Sequence, residues 1–148
     1  MTSGSGASVD CLARAGVDVG LVVRDIDASR HFYCDIIGLR FMRATDVPGV
    51  GVIHRIDMGG STLKLMEAPA AGQQETPTSD NTITAGTGLR YLTFHVRSVD
   101  DMVWRCRADG GTVLKEPERV GTGFVIAMLA DPDGAIVELA QATSGNQR

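Results

Sequence analysis

Five side chains of types that move protons fall on one set of strand positions: Asp18, Lys64, Tyr91, His95 and Glu138. Each lies in a short run of alternating character, and each has the parity opposite to the apolar residues of its run. A partly desolvated Glu138 would have a raised pKa and could act as a general base. Lys64, Tyr91 or His95 would then steady a developing enolate or supply the acid. A structural interpretation stands beside this one: Lys64 and Glu138 face each other across a cavity, neutralise each other and hold it open.

The elements that must position these groups come from a repeat. The stretch "DVGLVVRDIDA" at 18 to 28 matches "YLTFHVRSVDD" at 91 to 101, 73 positions later, and "TLKLME" at 62 matches "IVELAQ" at 136, 74 positions later. Repeats of this length argue for a duplicated supersecondary unit, and the drift of one residue suggests a changed loop. The first unit reads as a strand over about 18–24, then a helix capped by Asp25 or Asp27. Phe32, Tyr33, Ile36 and Ile37 form the apolar stripe of that helix, and Gly38 stops it. Strands near 39–43, 50–56 and 61–67 follow, the last two joined by "DMGG". The second unit reads as a strand at 91–97, a helix at 99–109 stopped by Gly110, and strands near 112–115, 122–130 and 135–141. Its last turn is "DPDG".

The expected fold is therefore α+β, two tandem βαβββ modules over 17–67 and 89–142 whose sheets curve into one bowl. Residues 1–16 and 143–148 are expected to be frayed ends, and the Ala-, Gly- and Thr-rich 68–88 a crossover or lid. In the first strand Val19, Leu21 and Val23 should pack on the helix, leaving Asp18, Gly20 and Val22 opposite. In its repeat, Leu92, Phe94 and Val96 leave Tyr91, Thr93 and His95 opposite. Small or apolar neighbours such as Val22, Thr93, Ile136 and Ala140 on that face suit a cavity lining rather than an open surface. Phe41, Met66, Phe124 and Met128 are candidates for the cavity walls.

On "VGLVVRDIDASRHFYCDIIGL", "GLRYLTFHVRSVDD" and "LADPDGAIVELAQ", the chain resembles the vicinal oxygen chelate superfamily. That superfamily includes glyoxalase I, bleomycin-resistance proteins and extradiol dioxygenases. The resemblance implies the bowl fold over about 17–141 and, commonly, a homodimer. Metal-dependent members take His, Glu or sometimes Gln from the start of each first strand and from each last strand. Carried over, those positions are Asp18, Lys64, Tyr91 and Glu138, and only Glu138 keeps a customary ligand type. The expectation is thus no cofactor. The alternative is a divalent metal on a rebuilt set of Glu138, His95 and His54.

Three functions follow. One is an isomerase, epimerase or lyase with Glu138 as base, Lys64, Tyr91 and His95 as its partners, and Asp18, Val22, Thr93, Met66 and Phe124 binding the substrate. Another is a non-catalytic protein that sequesters a small, antibiotic-like molecule, and the third is the metalloenzyme with displaced ligands. Composition narrows the partners. The net charge is −4 with scattered Lys and Arg, which argues against nucleic acid, and no apolar run reaches membrane-spanning length. Three cysteines (Cys11, Cys34 and Cys106) without CxxC spacing read as reduced thiols, and with no leader-like N-terminus the expected location is the cytoplasm. His31 is expected on the helix surface.

Overall fold

Strand β1, Asp18–Val23, opens the first half, with burial alternating along it until Val23 is enclosed. The structure, a computed structural model, describes residues 11–72, 83, 84 and 86–143. Helix α1, Ile26–Arg30, follows, capped by Asp25, whose carboxylate accepts from Asp27 N at 3.0 Å and Ala28 N at 3.1 Å. The helix then widens over His31–Ile36, where hydrogen bonds reach across five residues; Ile37 N donates to Phe32 O at 3.0 Å. Strands β2 (Arg40–Val47), β3 (Gly51–Asp57) and β4 (Thr62–Glu67) complete the half.

The second half repeats the order with β5 (Tyr91–His95), α2 (Val99–Ala108), β6 (Thr112–Val120), β7 (Phe124–Ala130) and β8 (Ile136–Ala142). Ser98 caps α2 by accepting from Asp101 N at 3.2 Å. Each half is a four-stranded sheet, ordered β1-β4-β3-β2 and β5-β8-β7-β6. The first and last strands of each half are parallel and the other pairs antiparallel. This is the expected α+β arrangement of two βαβββ modules.

Two details differ from the sequence expectation. Strands β2 and β6 are longer than the stretches near 39–43 and 112–115, because bulges let them continue past irregular positions. Pro117 is tolerated in β6, an edge strand. The one-residue drift between repeats is the net of two opposite changes: one residue fewer in the second helix, and two more between its stop glycine and the last strand. The helix caps Asp25 and Ser98 stand 73 positions apart, yet the stop glycines Gly38 and Gly110, both at positive φ, stand 72 apart. The first helix therefore holds one more residue than the second, and the widened segment accommodates it.

Both helices and the sheet faces beneath them contribute to one core, which includes Phe32, Tyr33, Ile56, Leu65, Val103 and Leu139. The halves are tied together through this side. Tyr33 Oη donates to Asp131 Oδ2 at 2.8 Å, and Arg24 N donates to Asp133 Oδ1 at 3.2 Å. His31 bridges Asp35 (2.8 Å) and, in the other half, Asp109 (2.7 Å). The expected crossover at 68–88 falls largely outside the described residues, as do 1–10 and 144–148. Among the described residues no helix is long and apolar enough to cross a membrane.

Candidate functional site

On the first sheet, β1 and β4 run parallel in a register that sets Gly20 beside Lys64. Lys64 Nζ lies 2.9 Å from Asp18 Oδ2, while Arg14 Nη2 donates to the other Asp18 oxygen at 2.6 Å. These cations, Lys64 first and then Arg14, hold the Asp18 carboxyl below the usual carboxylate range. Lys64 thus pairs with its neighbour on the adjacent strand, and not with Glu138 as the sequence suggested. Gly20 keeps the floor between them low; a Cβ there would stand 3.5 Å from the Met66 methyl. Val22, on the same face, is 56% exposed.

The hairpin from β3 to β4 places Arg55 directly opposite Lys64, and β2 places Arg43 directly opposite Arg55. The face therefore carries a row of three cations on three adjacent strands. Neither arginine was singled out from the sequence, although counting back from the "DMGG" turn puts Arg55 opposite Lys64. Arg55 Nη1 is buried and has no acceptor among the described residues.

The corresponding row of the second sheet has different chemistry. Thr93 stands beside Glu138 and donates from Oγ1 to Oε1 at 2.9 Å. Met128, 8% exposed, is opposite Glu138 on β7. One hydroxyl donor orients the carboxylate and leaves its second oxygen without a hydrogen bond among the described residues. Tyr91, at the start of β5, is 41% exposed. His95 lies at the other end of that strand, its ring 6.0 Å from Phe124. A cleft of about 470 Å³ runs beside β5; Thr93 and His95 share it with Leu39 and Met58 of the first half.

Two expected members lie elsewhere. His54 pairs with Leu65 and Phe41 with Ile56, so both point to the helix side of the first sheet, away from Lys64. There the His54 ring is 6.2 Å from Phe41, and burial, then Arg30, lowers its pKa. A metal set joining His54 to His95 and Glu138 is therefore not assembled: His54 is on the wrong face of its sheet. Nor do hydrogen bonds or ion pairs join Asp18 and Lys64 to Tyr91 and Glu138 among the described residues. His31 is at the surface as expected, held between two carboxylates.

A family model described as the Glyoxalase/Bleomycin resistance protein/Dioxygenase superfamily matches residues 16–139. A probable lactoylglutathione lyase of Synechocystis is 31% identical over 128 residues, covering 82% of this chain and 91% of the relative. A lactoylglutathione lyase of Arabidopsis thaliana is 31% identical over 121 residues, 80% of this chain, and the chain spans only 41% of that longer relative. Among solved structures, a glyoxalase family protein from Bacillus cereus superposes with a TM-score of 0.73 at 19% identity, covering 93% of this chain and 99% of that one. A glyoxalase/dioxygenase from Nostoc punctiforme gives 0.65 at 24% identity, covering 86% and 90%. At these identities the structural likenesses establish the fold alone.

The relatives correct one expectation. The sequence pointed to a site without a cofactor, and similarity to lactoylglutathione lyases, a metal-dependent kind of glyoxalase, overturns it. The four carried-over positions of this chain still do not fit a metal. Asp18 is engaged by two cations, Lys64 brings a positive charge of its own, and Tyr91 is a phenol, leaving Glu138 as one carboxylate bonded to Thr93. Among the described residues no three His, Cys, Asp or Glu side chains are grouped as a metal site would need.

Proposed function

The chain belongs to the Glyoxalase/Bleomycin resistance protein/Dioxygenase superfamily, and we propose that it is an isomerase or lyase that enolises a small oxygenated carbonyl compound on its concave face. The observation that carries this reading is Glu138, a half-buried carboxylate at the middle of β8, oriented by the Thr93 hydroxyl at 2.9 Å. Its unshared oxygen takes the proton from the carbon beside the carbonyl. The C–H electrons move to the carbonyl oxygen, and the resulting enolate is met by a cation. Lys64 supplies it, its ammonium held on the sheet face by the 2.9 Å ion pair with Asp18. Glu138 then returns the proton to the former carbonyl carbon, while the hydroxyl on the first carbon gives its proton to the enolate oxygen and becomes the new carbonyl.

The two faces are completed by a second copy of the chain, so that the Lys64 side of one meets the Glu138 side of the other. The exposure of Val22 and Tyr91 on these faces supports this, as does the route of the contacts within one chain, which pass through the helices.

The relatives suggest the first substrate to offer, the adduct of methylglyoxal with glutathione. In heavy water, NMR should show deuterium entering the product carbon, and Glu138→Gln should slow that exchange by about 100-fold or more. Binding of the adduct with neither exchange nor conversion would overturn catalysis and leave a protein that only holds small molecules.

A further inference from the structure

Like charges directly opposite each other on neighbouring strands repel, and sheets rarely retain them without a purpose. Here two such pairs occur in succession, Lys64 with Arg55 and Arg55 with Arg43. Adjacent strands lie roughly 4.8 Å apart, so three cations span about 10 Å of one sheet face. One carboxylate, Asp18, offsets them, and it is also bonded to Arg14. Arg43 is exposed and has no carboxylate partner among the described residues, and Arg55 keeps a buried Nη1 with no acceptor. A buried donor without an acceptor calls for one, and guanidinium groups are suited to paired oxygens.

We infer that the row Lys64–Arg55–Arg43 is an anion subsite that receives the acidic end of the ligand, a carboxylate or phosphate group bearing at least two negative charges. This deepens the proposed function and rests on its placing of Lys64 at the reacting end: the carbonyl lies toward Lys64, and the acidic groups reach along β3 and β2. The equivalent row of the second sheet, Glu138–Met128–Lys115, holds one cation instead of three, so the ligand has one orientation.

The test is calorimetric titration of the full chain with citrate, pyrophosphate and, as a singly charged comparison, acetate. Citrate or pyrophosphate should bind at least about tenfold more tightly than acetate, and the tighter of the two identifies carboxylate or phosphate as the group taken. Arg55→Gln and Arg43→Gln should each weaken that binding by roughly tenfold. Arg43 is at the surface, so its variant keeps the test open if the Arg55 variant does not fold. Arg105→Gln, the same charge change on α2, should leave binding unchanged. Equal weakening by Arg105→Gln, or no preference over acetate, would overturn the subsite. Neither result depends on turnover, so the Glu138 exchange assay succeeds or fails separately.

Discussion

At the scale of single residues, His31 is a pH-dependent feature. Its two ring nitrogens contact Asp35 at 2.8 Å and Asp109 at 2.7 Å, and both carboxylates, Asp109 most, raise its pKa above 6.5. A histidine whose folded pKa is raised adds stability that is complete below its unfolded value and is lost as pH rises through the folded one. The clasp between the first helix and the end of α2 therefore loosens above 6.5. The unfolding midpoint should drop between about pH 6 and about pH 8 in the native chain and drop less in His31→Gln. An NMR titration of His31 should show Asp109→Asn lowering its pKa more than Asp35→Asn does. Equal midpoints in the two proteins at both pH values would mean that the exposed clasp contributes nothing measurable.

At the scale of elements, the turn after α2 is closely packed. A Cβ on Gly111 would stand 2.6 Å from Cys106 Sγ and 3.0 Å from the Cys106 carbonyl oxygen, and Cys106 is wholly buried. Gly111→Ala should therefore cost about 1–3 kcal/mol in urea unfolding, as overpacking does. Gly72→Ala, with nothing within 4 Å, should cost nothing measurable. The same scale shows how much was legible in the sequence. Val19, Leu21 and Val23 alternate cleanly, so the faces of β1 could be assigned, and the repeat carried that assignment to β5. Strand β3 was different, because Ile53 and Ile56 are of opposite parity and both are buried. Its apolar pattern does not say which way His54 points. The bulge between Phe41 and Arg43 likewise reverses the parity of β2 partway along, which kept Arg43 out of view. The β3–β4 register could be counted from the "DMGG" turn, but the full cation row exists only in the register that the β2 bulge sets.

At the scale of the whole molecule, the proposed closure by a second copy has a genetic consequence. Lys64→Met and Glu138→Gln chains should each be inactive alone. Refolded together in equal amounts, they should regain about a quarter of native activity, since half the dimers are mixed and each mixed dimer carries one intact site. No recovery, with mixed dimers demonstrated by mass spectrometry, would place the whole site within one chain. The widened segment His31–Ile36 bears on how such a molecule could have arisen. The two halves differ by one residue between helix cap and stop glycine, and a lengthened helix would ordinarily rotate or displace everything after it. Here the surplus is absorbed as a local loosening of the coil, so both helices hand the chain to the next strand at equivalent points. One copy of a duplicated gene could thus gain a codon without disturbing the sheet beside it, leaving the two faces free to specialise, one toward charge and the other toward proton transfer.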